Sequence, residues 1–286
     1  MTIVASPDRQ AVYVADNLTE KIAVISTSTN AILEFIPTAN PANGIVVSPD
    51  GNTLYVTETA NFLEAISVNT GTQLFITTVG INPQLPGVSP DGSIVYVPAL
   101  DGTVTPVGGP VLSPITVGHQ PSQAVFNSSG TKAYVSNLLG YISVIDTATG
   151  TFTNIGTANG VLGLAINGST LYATGVNTVF VIDTNSNAIT HTIHVPGPAQ
   201  SGLGFPALTT DGAFLYVPVV STGTNGTGDQ VVVIDTRTKK VVGQPINVGQ
   251  QPLQIAVAAG DVFGFVANSL SGNVTVLKLR HSNIIP

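Results

Sequence analysis

The side chains that could do acid–base or metal chemistry are few in this 286-residue sequence, which has four His, fifteen Asp and Glu and no Cys. The absence of Cys excludes disulfides, thiolate catalysis and Cys-based metal sites. His119 stands in the loop-like segment Gly118-His119-Gln120-Pro121, whereas Asp16 and Glu58 follow segments rich in β-forming residues. If these three side chains met, one could act as a general base beside a metal ion.

The other His residues do not predict a metal site. His191 and His194 lie three positions apart on one strand-like segment, so they face opposite sides of a sheet and cannot both ligate one ion. Zinc needs three or four ligands in a tetrahedral array, and the sequence does not supply such a set. We therefore predict no resident cofactor. Calcium or magnesium held by Asp16, Glu58 and backbone carbonyls stays open as the alternative.

Most of the remaining carboxylates recur at two fixed turn positions. An Asp in a tight turn can bond its own backbone, and a Gly beside it accepts positive φ. We therefore predict a structural role, rather than a ring of ligands, for these acids, which are Asp8, Asp50, Asp91 and Asp211 at the first position and Asp146, Asp183 and Asp235 at the second.

The turns belong to a repeat that fills the chain. Each copy carries one aromatic residue, and consecutive copies are spaced by 38 to 49 residues. Periods of about 40–50 residues with four short strands each are typical of β-propeller blades. We predict that the aromatic residues pack between blades; they are Tyr13, Tyr55, Tyr96, Tyr134, Tyr172, Tyr216 and Phe265.

These spacings predict an all-β fold: one domain, residues 1–286, that forms a seven-bladed β-propeller of four-stranded antiparallel blades. Residues 2–5 align with the innermost strand of the second repeat, and only residues 281–286 follow the third strand of the last one. The last blade is therefore expected to be incompletely closed, with three strands, a ragged fourth and no outer strand from the N-terminus. In the third repeat, Pro106 predicts a bulge or a shortened edge.

Four recurring segments resemble a known family. They are the strand Tyr55-Val56-Thr57-Glu58, the turn Ser48-Pro49-Asp50-Gly51, the strand Val144-Ile145-Asp146-Thr147 and the crossover Val248-Gly249-Gln250-Gln251-Pro252. Together they resemble the YVTN β-propeller repeat over about residues 1–280. The resemblance implies a seven-bladed propeller of the kind common in exported or cell-surface proteins of bacteria and archaea. It implies little about function, because the recurring residues belong to the scaffold.

The composition limits the classes of partner and the cellular compartments that the sequence predicts. Charged residues make up 8% and hydrophobic residues 43%, which excludes a disordered chain. Without a run of about 18 apolar residues, no membrane insertion is predicted. A net charge of −7 argues against nucleic acid and anionic membranes as partners. Low charge and abundant Thr and Asn favour a secreted, periplasmic or cell-surface protein, although no signal peptide precedes the first strand and a cytoplasmic location stays open.

In a propeller, the crossovers between blades share one face with the loops that join second to third strands. Loop length varies most there, with long excursions at residues 196–206 and 221–229. Such loops are the usual place for binding, although their Gly, Ser, Thr and Asn content also fits loops without a binding role. We predict that the ligand-binding residues of this face are Asp16, Glu58, His119, Gln123, Asn137, Gln200, Gln254 and Asn268.

Three functions fit these observations. The preferred hypothesis is an exported or surface-associated recognition module, a monomer that binds a protein, a glycan or a small molecule on the variable loop face. The second is a propeller enzyme of lactonase or lyase type, with a metal-assisted site at the channel mouth built from His119, Glu58 and Asp16. The third is a structural element of a surface layer.

Overall fold

A computed structural model of the chain describes residues 1–197, 201–220, 229–258 and 260–279. The described residues form 29 β-strands in seven antiparallel sheets and contain no helix. These sheets are the blades of a propeller, and the last one lacks an outer strand. The predicted all-β, seven-bladed class with an incompletely closed last blade is therefore confirmed.

The strands of each blade follow one another from the channel to the rim. The first four blades have four strands each: β1 (Thr2–Ala5), β2 (Ala11–Ala15), β3 (Lys21–Ser26) and β4 (Ile32–Pro37) in blade 1; β5 (Ala42–Val47), β6 (Thr53–Glu58), β7 (Phe62–Ser67) and β8 (Gln73–Thr78) in blade 2; β9 (Gly87–Val88), β10 (Val95–Pro98), β11 (Thr103–Val107) and β12 (Ile115–Thr116) in blade 3; β13 (Pro121–Phe126), β14 (Lys132–Asn137), β15 (Tyr141–Asp146) and β16 (Phe152–Gly156) in blade 4.

The last three blades vary this plan. Blade 6 divides its inner and outer strands into two pieces each, and blade 7 has three strands. The strands are β17 (Gly163–Asn167), β18 (Thr170–Thr174), β19 (Thr178–Asp183) and β20 (Ala188–His194) in blade 5; β21 (Gly202–Leu203), β22 (Ala207–Leu208), β23 (Phe214–Val220), β24 (Gln230–Asp235), β25 (Lys240–Val241) and β26 (Ile246–Asn247) in blade 6; β27 (Pro252–Ala258), β28 (Phe263–Asn268) and β29 (Asn273–Lys278) in blade 7.

The repeated turn acids have the structural role that the sequence predicts. Asp50 accepts hydrogen bonds from Ser48 Oγ at 2.5 Å and from the Asn52 N–H at 3.1 Å, and Gly51 beside it has a φ of +77°. In blade 3 the same contacts, made by Ser89 and Ser93, lower the pKa of Asp91 to about 2. At the second turn position, Asp146, Asp183 and Asp235 likewise accept backbone N–H groups of their own turns.

The hydrophobic core lies between the blades. Alternate residues of a strand face opposite sides of its sheet, so each blade packs against both neighbours. Leu54 and Val56 of blade 2 pack with Tyr13 and Val24 of blade 1. Burial of each such side chain stabilises the fold by roughly 1.5–3 kcal/mol. Tyr96, Tyr134, Tyr216 and Phe265 are fully buried, which confirms that the recurring aromatic residues pack between blades.

Inner strands of some neighbouring blades approach closely enough to form hydrogen bonds. The Leu85 N–H donates to Ser122 O at 3.0 Å between blades 3 and 4, and the Phe205 N–H donates to Leu253 O at 2.8 Å between blades 6 and 7. Gly87 faces such a junction, where an added Cβ would overlap the carbonyl oxygen of Ala124. Only glycine therefore fits at this position without displacing the neighbouring backbone.

Pro106 shortens the outer edge of blade 3, as predicted. It lies within β11, opposite Tyr96 of β10, and the pairing between them is regular. The Ala99 N–H bonds to Thr103 O, so by alternation the backbone nitrogen of Pro106 faces the outer strand β12 instead. Because proline has no N–H to donate to β12, this outer strand is short and pairs only with Thr103 and Val104.

The boundary between blade 7 and blade 1, which we call the seam, closes the ring without a shared strand. β1 is the inner strand of blade 1 and lends nothing to blade 7. The seam is held by packing of Phe265 and Ala256 against Ile3, and by an ion pair between Arg9 and Asp261 at 2.7 Å. Residues 281–286, the expected ragged fourth strand, lie outside the described residues.

No helix within the described ranges is long and apolar enough to cross a membrane.

Candidate functional site

The loops of the propeller fall on two faces. The crossover face carries the crossovers between blades and the loops between second and third strands, which we call B–C loops. The turn face carries the remaining turns, where the recurring Asp residues lie. The sequence predicts a ligand site on the crossover face, and the structure shows what its polar residues contact.

Glu58 is completely buried beneath the crossover from blade 1 to blade 2. Its Oε1 accepts the backbone N–H of Asn40 at 3.1 Å, and its Oε2 accepts the side-chain Nδ2 of Asn40 at 2.9 Å. Glu64 lies beside it, only 3% exposed, and accepts the Ala39 N–H at 3.0 Å. The two carboxylates thus hold the backbone of this crossover in place.

The neighbouring carboxyl group of Glu58 also acts on the protonation of Glu64. Burial is the largest cause that raises the pKa of Glu64, and the hydrogen bond and charge of Glu58 add to it, so the pKa rises from 4.5 to about 7. The Ala39 N–H opposes this rise. Glu64 therefore carries a proton below about pH 7 in the folded protein.

Asn137 and Asn268 occupy the same position in blades 4 and 7, at the end of the second strand. Both are fully buried, and their Nδ2 atoms donate within the blade, to Ser143 Oγ at 3.2 Å and to Thr275 Oγ1 at 2.8 Å respectively. Their Oδ1 atoms are buried without a hydrogen-bond partner among the described residues. Blade 2 therefore places two acids where these blades place an amide and a hydroxyl.

Gln123 and Gln254 connect inner strands of neighbouring blades. Gln123 Oε1 accepts the Leu164 N–H at 2.6 Å, from blade 4 to blade 5. Gln254 Oε1 accepts the Ile3 N–H at 3.0 Å, across the seam. Both glutamines follow an irregularity in the strand pairing of their blade.

Asp16 and His119 are more accessible. Asp16 is partly buried, and its Oδ1 accepts the N–H groups of Leu18 and Thr19 at 2.7 and 2.9 Å. His119 is exposed, and its backbone N–H donates to Tyr141 Oη at 2.9 Å. Gln200 lies outside the described residues, as do parts of both long excursions, 198–200 and 221–228.

The described ranges contain no group of three or more His, Asp or Glu side chains that could hold a metal ion. Five of the predicted residues make hydrogen bonds within the fold. Glu58 secures a crossover, Asn137 and Asn268 bond within their blades, and the two glutamines join neighbouring blades.

Sequence reasoning overlooked a set of apolar residues at the tips of crossover-face loops. Exposure reaches 85% for Leu18, 64% for Ile81 and 65% for Leu270. On the turn face, by contrast, the described turns expose a single large hydrophobic side chain, Leu112. The set comprises Leu18, Ile81, Leu138, Leu139, Val176 and Leu270. A Leu or Val close behind the end of a second strand is the signal that would have found all of them except Ile81, which lies in the crossover after the outer strand of blade 2.

Comparisons with known proteins identify the fold and no family. A scan against protein-family models finds no match, and a search of curated proteins finds none either. Among solved structures, a chain of Kuenenia stuttgartiensis hydrazine synthase matches with a TM-score of 0.82 and 16% identity, over 97% of this chain and 94% of that one. A chain of a mitotic checkpoint complex matches with a TM-score of 0.83 and 11% identity, over 98% of this chain and 87% of that one. At these identities the likeness concerns the fold alone.

Proposed function

We propose that this protein is a recognition module that binds a partner protein on its crossover face. The observation that carries the proposal is the set of six exposed Leu, Ile and Val residues at the loop tips of that face. Contact with a partner would remove these side chains from water, which is favourable in proportion to the apolar area buried. Exposed apolar patches are one feature of surfaces that dock on other proteins.

The polar groups of the same face support a protein rather than a glycan or a small polar molecule. Glu58, Asn137 and Asn268 are buried, and the Glu58 carboxylate and both amide nitrogens bond within the fold, so they offer little to a ligand from solvent. Glycan recognition usually needs exposed hydrogen-bonding groups and flat aromatic rings. The sequence has no Trp, and most of the recurring Tyr residues are buried between blades.

We further propose that the protein belongs to the YVTN-repeat group and acts outside the cytoplasm, at or beyond the cell surface. The recurring segments and the low content of charged residues support this assignment. A role in an assembly accords with the likeness to a chain of the mitotic checkpoint complex, which shows that this fold occurs within a multiprotein assembly.

Site-specific photocrosslinking tests the proposal. A photoreactive residue placed at Leu18 or Leu139 should capture a partner in the native host. The same residue at Leu112, which is as exposed as Leu18 but lies on the turn face, should not. With the purified partner, the combined substitutions Leu18→Asp and Leu139→Asp should raise the Kd about ten-fold or more, because they place charge in an apolar contact.

The control is Leu112→Asp, which adds a charge of the same sign without touching the crossover face. It should leave the Kd unchanged. Equal crosslinking at all three positions, or a Kd that ignores the crossover-face substitutions, would show that the apolar loop tips are not the docking surface.

A further inference from the structure

Along the outer edge of blade 7, backbone groups have no pairing strand among the described residues. The Leu279 N–H donates to Val262 O, so hydrogen-bonded pairs with β28 recur at every second residue before it. The N–H and C=O groups of Val274, Val276 and Lys278 therefore face away from β28. No described strand pairs with this edge, whereas each of the other six blades has an outer strand.

An apolar groove lies beside that edge, at the seam. It encloses about 380 Å³ between β28 and β29 of blade 7 and β3 and β4 of blade 1. Phe35 and Ile32 of blade 1 are half exposed beside it, and Val274 and Val276 line it from blade 7. The groove can take an aliphatic side chain from a strand that pairs with β29. We call the edge and the groove together the seam groove.

Lysines stand at both ends of the seam groove. Lys21 lines the crossover-face end, with its Nζ 4.4 Å from the centroid of the Phe35 ring. Lys278 lies at the turn-face end, on the same side of β29 as Val276, because side chains alternate along a strand. Asp16 also lines the crossover-face end, where its Oδ1 accepts two N–H groups of its own loop. Lys21 in the groove and Lys278 on the adjoining edge together outnumber Asp16, in a chain of net charge −7.

We propose that the seam groove binds an extended segment of a partner protein in which two acidic residues flank an aliphatic residue at alternate positions. The segment would add a fourth strand to blade 7. Its backbone pairs with Val274, Val276 and Lys278, its aliphatic side chain fills the groove, and its carboxylates meet Lys21 and Lys278. When an extended segment adds to the edge of a sheet, main-chain hydrogen bonds supply the affinity and alternate side chains supply the specificity. The charge of the groove selects the acidic flanks.

The probe is the blocked heptapeptide Thr-Glu-Thr-Ile-Thr-Glu-Thr with a fluorescent label, titrated with the full chain by anisotropy. It should bind about ten-fold more tightly than the same peptide with Lys in place of Glu. Val276→Pro should abolish binding, because it removes a free N–H at the edge. Proline is tolerated where that N–H faces solvent, and circular dichroism checks that the variant is folded.

A second variant keeps the test decisive if proline disturbs the blade. Lys21→Glu combined with Lys278→Glu should reverse the preference, so that the Lys-containing peptide binds more tightly. Lys240→Glu, an exposed lysine on an outer strand of blade 6, should leave both affinities unchanged.

Three results would overturn the proposal. The first is that neither peptide binds the full chain. The second is binding that survives Val276→Pro and ignores the charge reversal. The third is binding that emerges only when the chain is cut after Leu279, which would make the residues beyond it, rather than a partner, the occupant of the seam groove.

Discussion

At the scale of single residues, Glu58 and Glu64 are the pair whose chemistry is most unusual. Most carboxylates of this protein lie in turns, where short contacts with Ser or Thr and with backbone N–H groups stabilise the ionised form. Glu64 is buried against a second acid, so its pKa is raised to about 7 rather than lowered. Stability should therefore depend on the protonation of this one site at near-neutral pH.

We expect Glu64→Gln to stabilise the protein above pH 7 and to be close to neutral at low pH. In the wild type the unfolded chain releases the Glu64 proton near pH 4.5, whereas the folded chain holds it until about pH 7. The unfolded state thus binds fewer protons in this window, and stability falls as pH rises through it. The glutamine amide resembles the protonated acid, so the variant avoids this loss.

Urea denaturation of both proteins at a series of pH values measures this difference. Glu34→Gln serves as the control, because Glu34 is exposed on β4 and its substitution should shift stability little at any pH. A difference between Glu64→Gln and wild type that stays constant across the series would contradict the assignment of the proton to Glu64.

At the residue scale, some side-chain contacts could be predicted from the sequence and others could not. The partners of Asp50, Ser48 and Asn52, are two positions away, so the turn alone predicts its role. Gln254 bonds to Ile3, which is 251 positions away, and that contact depends on how the ring closes. The candidate residues were placed at strand ends from the repeat, but their hydrogen-bond partners follow from blade packing, which the repeat does not specify.

At the scale of elements, the inner strands determine how closely blades can approach. Repeat spacing predicted the strands themselves, because alternation and turn residues are local signals. The hydrogen bonds between inner strands of blades 3 and 4 could not be predicted from the sequence, since they depend on the register of two strands from different repeats. Gly87 shows the result, as a residue without a side chain facing the neighbouring backbone.

We expect Gly87→Ala to lower the free energy of unfolding by roughly 1–3 kcal/mol, because the new methyl group must displace the backbone around Ala124. The matched control is Gly156→Ala on the exposed outer strand β16, where an added Cβ meets nothing within 4 Å. Chemical denaturation compares the two variants. Equal effects would show that the spacing of the inner strands is not the limiting factor.

At the scale of the whole molecule, ring closure depends on a few contacts at the seam. Asp261 has a central place there, because it bonds to Arg9 of blade 1 at 2.7 Å and to both the N–H and the hydroxyl of Thr210 of blade 6. One carboxylate therefore joins three blades on the turn face. The sequence predicted an incomplete last blade, but it gave no sign of this junction, whose members are up to 252 positions apart.

We expect Asp261→Asn to destabilise the protein by about 1–2 kcal/mol, with a smaller effect at high salt. Asp261 has a φ of +65°, a conformation that Asn adopts as readily as Asp, so the substitution removes the charge without straining the backbone. A double-mutant cycle with Arg9→Gln measures the coupling by thermal denaturation. If the two single effects simply add, Arg9 and Asp261 do not act as a pair.

The seam is also the boundary at which the ring should resist pulling least. At each of the other six boundaries, pulling two blades apart would have to stretch a covalent crossover. At the seam, the described contacts that meet the same load are non-covalent: side-chain packing, the Gln254 contact, the Arg9–Asp261 pair and the bond from the Met1 amino group to Ser269 Oγ. Under tension the ring should open at the seam first and then lose one blade at a time. A force measurement with one attachment point in blade 7 and one in blade 1 should therefore record the first rupture.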